Sequence, residues 1–247
     1  KNHTGTYGGE MTLRYSLAHS INTVAVRLAG DVGRWKVVRT AKRLGINSKL
    51  HDDPSIALGT AEVTLLELTS AYAPFANGGV LARPYIVARV RNGDGKILYS
   101  HRPDNPIPVI AQAYLGPMND MMNATIVYGT GKQAALPDHV AGGKTGTSQK
   151  SRDAWFVGYT AHYVAGVWVG NDDGSKMKNV LGGTVPARLW HDIMSYAHRG
   201  KPVVALPGTR MPALEQATAK VPWTGSTSQP ETETPFFDRV LGVFSGG

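Results

Sequence analysis

Two short patterns in this chain carry groups able to do chemistry: Ser20-x-Asn22 near its start and Lys144-Thr145-Gly146-Thr147 far downstream. Hydroxyls that can pass a proton, an amide that can hold a peptide group, and an ammonium beside further hydroxyls are parts of serine acyl transfer. That chemistry needs a lysine amine near its nucleophile and a second hydroxyl to relay a proton. It also needs a cationic strand to hold a carboxylate and offer a backbone N–H to the oxyanion. The stretch from Ala141 to Ser148 combines glycines, a lysine and hydroxyls, and the apolar run Ala154 to Tyr159 follows closely. Glycines let a ligand approach the backbone, so the stretch reads as a substrate-binding strand.

Other chemistries find less in the chain. A phosphate loop ending in Gly143-Lys144-Thr145 would need a glycine at Asp138, and one ending in Gly131-Lys132 would need it at Ile126. The eight histidines show no ligand spacing, so no metal and no cofactor is expected. Asp52-Asp53 and Asp172-Asp173 are loop neighbours, which rarely aim at one point. With no cysteine, thiol nucleophiles, disulfides and zinc-thiolate sites are excluded. The net charge of +8, from 26 basic and 18 acidic residues, suits an anionic partner or simply a solvated surface. Nucleic acid is not an expected partner, since charge alone points to it.

At 247 residues and 42% hydrophobic content the chain can bury a sizeable core. Thr12 is placed to cap a helix from Leu13 to His19. Ser20-Ile21-Asn22 interrupts the pattern, and Val24, Ala25, Leu28 and Ala29 resume it as far as Gly30 or Gly33. Arg34 to Leu44 is amphipathic, with Trp35, Val38 and Leu44 on one side, and Gly45 closes it. Leu50 to Thr60 reads as loop. Thr64-Leu65-Leu66-Glu67 has the form of a capping box for a helix to about Ala76, ended by Asn77-Gly78-Gly79. Asn92-Gly93-Asp94-Gly95 marks a hairpin between Pro84–Val90 and Lys96–Tyr99. A third long helix is expected over Val109 to Tyr128, its methionines packing in the core. Gly129-Thr130-Gly131 is a sharp turn. Three neighbouring antiparallel strands follow, then a polar loop from Asn171 to Lys178 and a helix over Pro186 to Tyr196. The fold class is α+β, an antiparallel sheet flanked by helices. Residues 1–205 form the domain, and 206–247, rich in Pro, Thr, Ser and Glu, form a tail or linker.

In these segments the chain resembles the transpeptidase domain of class A penicillin-binding proteins. The resemblance runs through Met11 to Ala25, Ala57 to Thr64, Ala71 to Gly79 and Gly142 to Tyr159, and ends with Leu181-Gly182-Gly183 to Met194. It implies a β-lactamase/transpeptidase-like fold and a serine D,D-transpeptidase that cross-links peptidoglycan stem peptides at D-Ala-D-Ala and is trapped by β-lactams. Carried over by position, Ser20 would relay a proton near the leaving amine. Asn22 would hydrogen-bond the bound peptide and help place the catalytic lysine, and Lys144 would supply positive charge. Thr145 and Thr147 would hold the carboxylate, and Gly146 would let the ligand lie against the strand.

One departure counts against a complete site. In the family the nucleophile motif Ser-x-x-Lys precedes Ser-x-Asn, whereas the one instance here, Ser175 to Lys178, follows Lys-Thr-Gly in a polar loop. The chain therefore reads as the C-terminal part of the domain, incomplete at the N-terminus. By itself it is expected to be inactive, with the upstream segment, a glycosyltransferase domain and a membrane anchor as missing partners. The resemblance implies the outer, periplasmic face of a bacterial inner membrane. A serine β-lactamase is the enzyme alternative. It would need a hydrolytic base such as Glu-x-x-Leu-Asn, and Glu62 to Leu66 lacks the asparagine. A non-catalytic domain that recognises penicillin or peptidoglycan is the other alternative.

Overall fold

Thr12 starts α1 (Leu13–Ala18) by accepting the N–H of Tyr15 on its hydroxyl at 3.2 Å. The first helix ends at Ser20, whose φ is +52°, and the N–H of Ile21 reaches back to Ser16 O at 2.9 Å. This backward bond closes the helix and lets α2 (Asn22–Val32) begin in a new direction. In the computed structural model, which describes residues 9–210, two further helices complete this half. They are α3 (Arg34–Arg43) and α4 (Leu65–Ala76). Gly33, with φ of +98°, makes the corner between α2 and α3.

The capping box at Thr64 forms in both directions: Thr64 Oγ1 accepts Glu67 N–H, and the Glu67 carboxylate accepts Thr64 N–H. Glu67 also accepts from the Ser48 hydroxyl and the N–H groups of Asn47 and Ser48, tying the loop after α3 to the start of α4. Some expectations are corrected. Residues 50–60 include a 3-10 turn, Pro54–Leu58, started by Asp53 accepting Ser55 N–H. Trp35 stays 54% exposed, because the apolar side of α3 packs into no core and the helix buries no residue. Helix α5 (Gln112–Val127) starts later than Val109. Val109 and Ile110 donate to Gly79 O instead, and this pins the chain to the glycine turn after α4.

The hairpin forms as β1 (Arg89–Arg91) and β2 (Ile97–Ser100), both exposed along their length; β1 is much shorter than the run from Pro84 to Val90, and β2 is shifted by one residue from Lys96–Tyr99. The main sheet has order β3-β4-β5, all antiparallel, from β3 (Gly142–Thr147), β4 (Asp153–Tyr159) and β5 (Val164–Gly170). Strand alternation sends Phe156 and Tyr159 to opposite faces, and a core forms on each. On one face α6 (Val185–Ala197) lays Trp190, Ala187 and Met194 against Phe156, Ala165 and Val167. Trp190 also donates to Ala165 O at 3.0 Å. On the other, Tyr159 meets Met122 of α5, Tyr72 and Phe75 of α4, and Leu206. This is the α+β arrangement expected, with helices on both sides of the sheet.

Fully buried Asn119 of α5 joins the second core to its neighbours. It donates to Phe75 O (3.0 Å) and Pro207 O (2.8 Å) and accepts the Tyr159 hydroxyl (2.6 Å). Because Leu206 is buried and Pro207 is bonded here, the compact unit runs to Arg210, past the boundary drawn at 205. The rest of the expected tail, 211–247, lies outside the described residues.

Replacing Trp190 with Ala empties the centre of the α6 core and is expected to cost roughly 3–5 kcal/mol, measured by chemical denaturation. Hydrogen bonds, first from the Ser48 hydroxyl and then from Asn47 N–H, push the Glu67 carboxyl down to about 2 from 4.5. A carboxyl depressed in the folded state contributes stability that is complete above its unfolded pKa and lost as pH falls from there toward 2. Glu67→Gln should flatten that part of the acid unfolding curve and lower stability at neutral pH, where the carboxylate contributes in full.

Candidate active site

The antiparallel register pairs Lys144 with Val157 and Thr145 with Phe156, so alternation places Lys144 on the α4–α5 side of the sheet and Thr145 and Thr147 on the other. From that side the Lys144 ammonium reaches across to donate to the Ser20 hydroxyl. The same nitrogen donates to Thr145 O at 3.1 Å and lies 3.4 Å from Thr145 Oγ1. Desolvation pushes the Lys144 pKa down to about 8 from 10.5. Ser20 is half-buried and left-handed, a conformation that costs a non-glycine residue about 1–2 kcal/mol. The turn aims its side chain away from the axis of α1, and Asn22 follows as the first residue of α2.

The strand's hydroxyls are held from outside it. Thr147 Oγ1 accepts the N–H of Gly182 at 3.0 Å, which leaves its own proton free to donate elsewhere. Gly182 can do this because it has no side chain: a Cβ there would overlap the carbonyls of Gly146 and Trp155. Gly146 is half-buried, and a Cβ added to it would sit 3.3 Å from Trp155 Cβ. Among the described residues β3 pairs on one side only, with β4.

The structure thus brings Ser20, Lys144 and Thr145 into one hydrogen-bonded group, with Asn22 beside it in sequence and Gly146 and Thr147 further along the strand. Sequence reasoning missed Thr130, whose hydroxyl lies 2.7 Å from that of Thr145, and the supporting role of Gly182. Thr130 sat in view as part of a glycine turn. Nothing in the spacing said that the turn would meet the strand. The Ser175 motif stands apart from this group and bonds within its own loop: its hydroxyl accepts from Asn171, its N–H donates to Asp173, and Lys176 and Lys178 are exposed. Among the described residues no group of three or more His, Asp or Glu side chains could hold a metal ion.

The family model for the penicillin binding protein transpeptidase domain matches residues 1–195. The chain belongs to this family. It is 37% identical over 212 residues to penicillin-binding protein 1A of Aquifex aeolicus, covering 82% of this chain and 28% of the relative. To penicillin-binding protein 1A of Pseudomonas aeruginosa it is 30% identical over 296 residues, covering 96% and 35%. The chain spans about a third of the length of such curated relatives. Among solved structures, penicillin-binding protein 1A from Haemophilus influenzae matches with a TM-score of 0.68 and 28% identity over 84% of this chain and 37% of that one. PonA1 from Mycobacterium tuberculosis shares the fold, with a TM-score of 0.77 at 24% identity over 85% of this chain and 62% of that one.

Within this transpeptidase-domain fold the depressed lysine has a measurable signature. Between pH 8 and 10.5 the unfolded chain holds the Lys144 proton and the folded chain does not, so stability rises with pH across that window. Lys144→Met should abolish this component, read as the difference in urea midpoint between wild type and variant over the same window.

Proposed function

We propose that residues 1–247 supply the Ser-x-Asn and Lys-Thr-Gly side of the active site of a serine-type peptidoglycan D,D-transpeptidase. The nucleophilic serine and its lysine come from a part of the protein outside these residues, and the isolated chain is inactive. The observation that carries this reading is the hydrogen bond from Lys144 to Ser20 across 124 positions of sequence.

In this reading the nucleophile attacks the carbonyl of the penultimate D-alanine of a stem peptide. Ser20 gives its hydroxyl proton to the departing D-alanine amine and is refilled from the nucleophile. An ammonium donating to the Ser20 oxygen stabilises the negative charge that develops there, so proton transfer is easier than from an isolated hydroxyl. Thr145 and Thr147 donate to the terminal carboxylate, Asn22 bonds the peptide backbone, and Gly146 admits the extended chain along the open edge of β3. β-Lactams carry a carboxylate at the equivalent place and form the same acyl-enzyme. An amine from a neighbouring stem peptide then takes the acyl group. A glycosyltransferase domain and an anchor in the inner membrane, with the active site on its periplasmic face, belong to the proposed whole protein. No described helix is long and apolar enough to cross a membrane. Glu62, the nearest approach to a hydrolytic base, is exposed and only two residues ahead of the Thr64 cap, so a β-lactamase gains no support from it.

Intact-mass analysis after incubation with a penicillin tests the proposal on residues 1–247 and on the protein extended upstream through its Ser-x-x-Lys. No adduct is expected on the first and one stable adduct on the second. In the extended protein, Ser20→Ala and Lys144→Ala should each slow acylation by roughly a hundredfold or more. A stable adduct at Ser20 or Ser175 of the short chain would overturn the half-site reading.

A further inference from the structure

The turn between α5 and β3 touches both halves of the site. Thr130 N–H donates to Ala18 O at 3.0 Å, at the end of the helix that delivers Ser20, while its hydroxyl lies 2.7 Å from Thr145 Oγ1. The residue is placed there by its neighbours. A Cβ at Gly129 would overlap Ala18 O, one at Gly131 would come within 3.0 Å of the Phe156 ring, and one at Gly183 would overlap the Thr130 carbonyl. Close contacts on three sides, two with backbone and one with the Phe156 ring, therefore hold Thr130, and its exposed side chain has Thr145 as its hydroxyl neighbour.

The protons decide what this contact does. Thr145 Oγ1 lies within 3.4 Å of the Lys144 ammonium, which can only donate, and the Thr145 hydroxyl has a single proton of its own. If that proton goes to Thr130, none is left for a ligand. If Thr130 donates instead, Thr145 accepts from both neighbours and its proton is turned outward toward an incoming carboxylate. We propose that Thr130 is a positioning residue that sets the Thr145 hydroxyl as a donor to the ligand carboxylate and so determines affinity for carboxylate-bearing substrates. This rests on the transpeptidase reading above.

The test uses the upstream-extended protein and follows acylation by a penicillin and by its methyl ester, with the saturation constant separated from the acylation rate constant. Thr130→Val keeps the shape and removes the donor. It should weaken saturation by the penicillin roughly five- to tenfold, about the worth of one hydrogen bond, with little change in the rate constant. It should leave the methyl ester unaffected, and Thr130→Ser should restore wild-type behaviour. An equal loss on both substrates would mean that Thr130 only supports the fold, and no loss on either would show that Thr145 needs no partner; both overturn the proposal. Thermal midpoints of the variants establish that they fold, and Thr130→Ala, which also removes the donor, takes the place of Thr130→Val if that variant does not fold. A wild-type protein that takes no penicillin at all would remove the transpeptidase reading and this inference together, a result distinct from failure of the variants alone.

Discussion

The structure turns on holding the Lys144 ammonium partly out of water and against the Ser20 hydroxyl. A desolvated cation is unfavourable unless acceptors surround it. Here they are the Ser20 oxygen, the Thr145 carbonyl and, at longer range, the Thr145 hydroxyl. Two of the three come from the residue next to the lysine; the third comes from another element. The position of α1 relative to β3 therefore decides whether the charge is tolerated, and helix packing and lysine pKa become one problem.

Much of the surrounding architecture reads as a response to that demand. Asn119 and Tyr159 lock α5 to α4 and β4 from inside the core, while the Arg14 guanidinium ties α1 to α5 by donating to Asp120 at 2.7 Å and to the Tyr128 hydroxyl. The outer pair is partly solvated and contributes modestly; the buried hydroxyl–amide bond is fully satisfied and specifies a single arrangement. Glycines do the rest. At Gly129 and Gly182 the chain passes so close to other backbone that a methyl group would not fit, and both positions border the site. Their role is close approach: neither has a positive φ.

The left-handed Ser20 belongs to the same logic. Most helices that close in this way use glycine at that position, and glycine would be the less strained choice. A serine there places a hydroxyl at the mouth of the helix junction, where the hydrogen bond from Lys144 offsets the strain.

Local rules in the sequence determined a good deal. Thr12 and the Thr64–Glu67 box start helices because their side chains satisfy nearby N–H groups, and the continuous apolar run Ala154 to Tyr159 becomes a strand buried on both faces. Ser20, Asn22, Lys144 and Thr145 stood out as candidates because Ser-x-Asn and Lys-Thr-Gly carry hydroxyl, amide and amine groups at short spacing; that Ser20, Lys144 and Thr145 meet came from the fold. The sequence could not show that Thr130 meets Thr145, that Gly182 supports Thr147, that Leu206 belongs to the core, or that Trp35 would remain in solvent. Those facts depend on segments brought together from distant parts of the chain. Even the lysine's lowered pKa comes from burial that no local window contains. Hydrogen-bond caps and periodicity act over a few residues and can be read in order, whereas desolvation and close backbone approach exist only once separate elements are packed.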